Sequence, residues 1–186
     1  MKVLEKNKKK KPQSVETLFR NALRSNLELT ALADSKASIL ISVNGFILTV
    51  IVTASGLQMN HPLMVYPFIA IIITALGSIS FATKAIQPRY KEHLIKKKHQ
   101  ENYQSILYFQ DMASLTPEAY LTQAKEVILT TEATQENILK HLHILGAEIK
   151  IKYRWLRQAY NIFAVGLILS MILVVYALLN MTPEGL

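Results

Sequence analysis

Cysteine is missing from this chain, and with it go disulfide staples, thiolate metal ligands and cysteine nucleophiles, so nothing calls for an oxidising compartment. Acidic residues are few, 13 against 21 lysines and arginines, and three long runs of sequence hold no charge of either sign. A proton-coupled transporter or a fixed-charge selectivity filter needs ionisable groups near the middle of its spans, and their absence excludes both. Catalytic signatures are missing too: there is no HExxH, no GxGxxG, no P-loop, no nucleophile elbow and no carboxylate pair that periodicity brings together. His141 and His143 are two apart, which on a helix puts them on different faces and unfits them for a shared metal. The expectation is a protein that is not an enzyme, with no catalytic residues, no metal and no resident cofactor.

What is there is apolar and bunched. Half of the residues, 51%, are hydrophobic, and they gather in Ala37 to Leu57, Leu63 to Thr83 and Ala159 to Leu179, 21 uncharged residues each. At a helical rise of ~1.5 Å each run is about 31 Å long, which matches a hydrocarbon core of ~30 Å. The expected fold is therefore an all-α integral membrane protein with three transmembrane helices. Residues 1–36 carry nine lysines and arginines and residues 84–157 carry twelve, while the 58–62 turn and the end of the chain carry none. The positive-inside rule then places the amino terminus and the middle segment in the cytoplasm and the carboxyl terminus outside, in a multi-pass membrane protein. A secretory signal peptide has a short basic start and a 7 to 15 residue apolar core, so the full-length first span is read as retained.

In order, residues 1–13 read as a basic disordered tail, with no interleaved aromatics to suggest nucleic acid. Residues 14–36 read as an amphipathic helix started by Ser14 and Thr17, lying on the inner leaflet or packing in a cytoplasmic bundle. Residues 37–83 form a transmembrane hairpin with spans at 37–57 and 63–83. Residues 84–158 form a cytoplasmic helical region: a basic helix over 90–110, a helix started by the Thr116 cap with Pro117 at its first position, and a last helix that begins after Thr130-Thr131, at about Thr134, and runs into the span at 159–179. Residues 180–186 are an outside tail. The cytoplasmic bundle is built partly from extensions of the spans. In the first span Ser42, Gly45, Thr49 and Thr53 share one narrow stripe, and Gly166 and Ser170 repeat the pattern in the third, so these residues are helix-packing candidates and the chain is expected to form a homo-oligomer in membrane lipid. Asn44, about 100° from the stripe, either bonds a second helix or its own carbonyls.

Three blocks of sequence carry a resemblance. Residues 32–44 (LADSKASILISVN), 108–120 (YFQDMASLTPEAY) and 152–163 (KYRWLRQAYNIF), the last followed by Gly166-Leu167, resemble the blocks of the Pycsar transmembrane effector family, and Leu145-Gly146 resembles its Leu-Gly step. The sequence departs from the family pattern at His141-Leu142-His143-Ile144, where an acidic and aromatic approach is usual. The resemblance implies a bacterial antiphage-defence effector encoded with a pyrimidine nucleotide cyclase. It implies an activating cyclic pyrimidine nucleotide, cCMP or cUMP, and impairment of the inner membrane that arrests or kills the infected cell. The alternative is a passive membrane scaffold or anchor that docks a soluble nucleotide-signalling enzyme. For an anionic ligand, Arg154, Arg157, Lys152, Arg89 and Lys96 are candidate contacts, because all flank the spans on the basic side and arginine binds phosphate in bidentate fashion.

Overall fold

The computed structural model describes residues 12–58, 62–88 and 105–180, with the side chains of 14–53, 62–88 and 105–180. Among the described residues every regular element is helical. Helix α1 is Pro12–Gln58, a 3-10 turn at Pro62–Met64 leads into α2, Val65–Ile86, and then follow α3, Phe109–Ala113, α4, Pro117–Leu129, and α5, Thr131–Asn180. Three of them, within α1, Pro62–Ile86 and α5, are long and apolar enough to cross a membrane.

The amphipathic segment and the first span are one unbroken helix of 47 residues. It starts at Pro12 rather than at the expected Ser14; proline suits a first helical position because the amide hydrogen it lacks would be unpaired there anyway. Exposed pairs at i, i+4 support its polar part, Arg20 with Glu16 and Arg24 with Glu28. Helix α2 keeps Pro67 in its first turn and ends at Ile86, where Gln87 takes an extended conformation before Pro88. Helix α4 starts as its sequence dictates: Thr116 Oγ1 accepts from Ala119 N, with Pro117 and Glu118 in the first turn. Helix α5 runs 50 residues without a break. Gly146 does not interrupt it, and a Cβ there would meet nothing within 4 Å.

The expected helix over 90–110 lies mostly outside the described residues; of its described part, 105–108 is not helical, and Phe109 and Gln110 open α3. Ser105 is the reason. Its hydroxyl accepts from Leu107 N at 3.3 Å and its carbonyl from Tyr108 N at 3.0 Å, while its own N–H donates to Asp111 Oδ2 at 2.9 Å. A serine that bonds its own neighbourhood offers the backbone a turn in place of a helix. The 1–11 tail, the centre of the 58–62 turn and the 181–186 tail are outside the described residues.

The chain divides into two compact units, one with described residues 12–30 and 105–149, the other with 31–58, 62–88 and 150–180. The second unit holds the three spans. Its core is Ala33, Ala37 and Leu40 of α1, Ala82 and Ala85 of α2, and Leu156 and Ala159 of α5. Five of these seven are alanine, so the backbones approach closely, which is the packing that stabilises helices in lipid where no hydrophobic force draws them together. The outward faces carry exposed Val43, Phe46, Val50, Ile69, Ile73, Leu76, Val165, Ile168 and Ile172, a surface suited to acyl chains.

Candidate functional site

The three spans are tied by one polar node. Asn44, fully buried, donates from Nδ2 to its own helix at Leu40 O, 2.7 Å, and to Ser78 Oγ of α2, 3.1 Å; Ser78 Oγ in turn donates to Ala159 O of α5, 3.2 Å. Asn44 Oδ1 is buried and meets no donor among the described residues. The packing edge of α1 is thus Ala33, Ala37, Leu40, Asn44 and Ile51, all buried. Ser42, Thr49 and Thr53 are exposed and bond carbonyls of their own helix, Ser38, Gly45 and Thr49, and a Cβ on Gly45 would meet nothing within 4 Å. Among the described residues of the chain, nothing covers the small-residue stripe of α1. Gly166 and Ser170 lie elsewhere: a Cβ on Gly166 would run into the side chain of Thr74, and Ser170 is buried with Oγ bonded to Gly166 O.

Near one end of this unit sit its charges. Lys152 Nζ donates to both carboxylate oxygens of Asp34, at 2.6 and 2.8 Å, and its side chain is only 14% exposed. That ammonium is occupied by a carboxylate of the same chain. Lys84 Nζ lies 5.4 Å from the Phe81 ring and 5.1 Å from the Trp155 ring, an arrangement that the negative ring faces stabilise. Arg154 and Arg157 are exposed and make no ion pair among the described residues. Arg89 and Lys96 lie outside the described residues. Replacing Lys152 by alanine leaves Asp34 half-buried without its cation and is expected to cost about 1–3 kcal/mol. The exchange Asp34→Lys with Lys152→Asp is expected to recover most of it in a detergent-unfolding measurement, and a double exchange no better than either single one contradicts the pairing.

The first unit has a second constellation. Tyr108 is 1% exposed, its hydroxyl donates to Glu148 Oε1 at 2.6 Å, and burial, with the nearby carboxylates, pushes its phenol well above the ordinary tyrosine range. His141 packs on the Tyr108 ring at 6.4 Å, and burial holds its imidazole below the usual histidine value. Beside them, Ser105 Oγ donates to Asn137 Oδ1 of α5 at 2.8 Å, and both residues are buried. A cavity of about 150 Å³ opens here, lined by Ser105, Ile106, Asp111, Ser114, Leu115, Gln123, Glu126, Val127 and Asn137. Tyr108, Asp111, Ser114 and Leu115 belong to the block at 108–120 and His141 to the stretch that departs from the family pattern, whereas Ser105, Asn137 and Glu148 fall in no motif. Asn137 has no motif around it, and the one available signal was the serine at 105, a turn-former inside an expected helix.

Helices with long uncharged runs, packed on an alanine core, define an all-helical membrane protein with three spans; among the described residues no group of His, Asp or Glu is able to hold a metal ion. Within that class the family is specific. Residues 17–179 match the family model of the Pycsar effector protein domain, and the chain belongs to that family. No curated protein and no solved structure matches it. Membership gives the chain an effector role in a Pycsar antiphage system, in which cyclic-nucleotide signalling comes from a partner cyclase.

Proposed function

We propose that the chain is a signal-gated membrane effector: a cyclic pyrimidine nucleotide made by the partner cyclase binds it, and the spans then impair the inner membrane and stop the infected cell. The observation that carries this reading is the family match over 17–179 together with the three spans. The amino terminus and the residues between the second and third spans face the cytoplasm, where the nucleotide is made, in keeping with the charge asymmetry. Three spans without a central charge enclose no conduit alone, so impairment takes several copies, and the open stripe of Ser42, Gly45, Thr49 and Thr53 is the face through which α1 meets another copy. Arg154 and Arg157, exposed two turns or less before the apolar run at 159–179, rest against anionic headgroups.

A ligand shifts such an equilibrium only through its differential affinity for the two arrangements, and about 1–3 kcal/mol of coupling changes populations roughly five- to 150-fold. The test is expression with the partner cyclase during infection, with membrane potential as readout. Depolarisation that needs both proteins is expected. An intact potential with both present removes the effector reading and leaves the docking scaffold, which the exposed Ile128 and Leu129 of α4 favour, at 73% and 79% exposure.

A further inference from the structure

Helices α2 and α5 touch at one level and part on one side of it. At Thr74 and Gly166 they are so near that a Cβ on Gly166 would run into the Thr74 side chain. From there toward Lys84 they stay packed: a Cβ on Gly77 would meet Ile162 Cγ2 at 3.4 Å, and Ser78 Oγ donates to Ala159 O at 3.2 Å. In the other direction a groove of about 650 Å³ lies between them, from Thr74 and Leu169 to Tyr66 and Tyr176.

The walls of this groove exclude an ionic ligand. Among the described residues no charged side chain lines it, and the Thr74 hydroxyl already donates to Ala70 O at 2.8 Å. The polar groups left to a ligand are the phenol hydroxyls of Tyr66 and Tyr176, both exposed and at the same end. Its size suits one apolar chain: a cavity of ~150 Å³ holds one benzene, so on that scale the groove takes about two dozen carbon atoms.

Its length suits one leaflet. Tyr66 to Thr74 is eight residues of α2, about 12 Å at the helical rise, close to the ~15 Å that is half of a hydrocarbon core. A helix from another copy is about 10–12 Å across and crosses the whole core, and the contact of Thr74 with Gly166 would block its track halfway. The groove is also continuous with the lipid-suited outer surface, because Ile69, Ile73 and Leu169 line the one and are exposed on the other.

We propose that the groove between α2 and α5 binds one acyl chain of a phospholipid from the leaflet at the Tyr66 and Tyr176 end. The two phenols donate to the ester or phosphate oxygens of that lipid, as amphipathic tyrosines do at a membrane interface. No lysine or arginine lies between Gln58 and Thr83 or after Arg157, so the chain and not the headgroup charge selects the lipid. The site follows from the spans alone and stands whether or not the protein is an effector.

The test is full-length protein in phosphatidylcholine vesicles that contain a phosphatidylcholine with a diazirine on one acyl chain, irradiated and mapped by mass spectrometry. Ala70 and Leu173 line the groove and are less exposed than Val43 and Ile168 on the outer surface. Passing lipid would therefore label them less; a bound chain is expected to label them severalfold more. Ala70→Phe fills the groove from α2 and Leu173→Phe fills it from α5. With helicity by circular dichroism unchanged, each is expected to bring labelling of the opposite wall below that of Val43. Phosphatidylglycerol in place of phosphatidylcholine is expected to give the same pattern, and a rise with the anionic lipid overturns selection by the chain. Groove labelling below that of Val43 in wild type, or labelling that neither phenylalanine lowers, overturns the site. So does an interchain crosslink from a benzophenone attached to Leu173→Cys, in a chain with no other cysteine, which assigns the groove to a second copy.

Discussion

Replacing Gly166 by alanine is expected to destabilise the membrane unit by about 1–3 kcal/mol, the range for forcing an extra carbon into a packed site. A Cβ at this position would overlap the outer atoms of the Thr74 side chain and lie 2.6 Å from Thr74 Cβ. Thr74 has little room to yield, because it is β-branched and its hydroxyl bonds Ala70 O at 2.8 Å. The helices must then move apart, which also loosens the packing beside Gly77, where an added Cβ would meet Ile162 Cγ2 at 3.4 Å. Unfolding in detergent followed by the fluorescence of Trp155, the one tryptophan of the chain, reads this directly, since its ring packs on Phe81 of α2 at 5.5 Å. A second substitution checks the cause. Thr74→Ala removes the outer atoms but leaves the Cβ, so in the Gly166→Ala background only Thr74→Gly is expected to restore wild-type stability. Equal stability of Gly166→Ala and wild type means that α2 and α5 are not in contact at this level.

A larger effect is expected from Asn44→Asp. It removes both hydrogen bonds donated by Nδ2 and sets an ionisable group among three spans, which costs about 2.5–3.5 kcal/mol on insertion scales. Ser78→Ala, which removes the bonds joining α2 to Asn44 of α1 and to Ala159 of α5, is expected to cost about 0.6–1.7 kcal/mol for each, as interhelical hydrogen bonds in membranes do. Asn44→Leu has an instructive expectation of its own: it discards the two donated bonds and the buried Oδ1 that meets no donor among the described residues, so loss and gain nearly cancel and stability stays within about 1 kcal/mol of wild type. If Asn44→Leu proves as damaging as Asn44→Asp, the node is a main source of stability rather than a device that fixes the register of the three helices.

The contrast between what the sequence shows and what it hides has a physical origin. Spans, the Thr116 cap and the unbroken α5 are legible because each depends on residues within a few turns: an uncharged run of bilayer length, a hydroxyl before proline, the lack of a breaker. The partner of Asp34 is not legible, since Lys152 is 118 residues away, nor is the pairing of Ser105 with Asn137. Periodicity on α1 presents two small-residue faces about 130° apart, and nothing local says that Ala33, Ala37 and Asn44 meet α2 and α5 while Ser42, Gly45 and Thr49 stay open. Of the candidate anion contacts, Lys152 looked like its neighbours in sequence. Only the fold reveals that a carboxylate already occupies it.

The 118 residues between Asp34 and Lys152 also set a schedule. At about 5–20 residues per second, Asp34 leaves the ribosome roughly 6–24 s before its cation exists. Ser78 waits 81 residues for the carbonyl of Ala159. During that interval the nascent protein is a two-span hairpin with a row of alanines, a hydroxyl and a carboxylate facing no third helix. Completion of the core is therefore among the last events of biosynthesis, and a ribosome stalled before codon 152 leaves the bilayer holding that hairpin with its packing face uncovered.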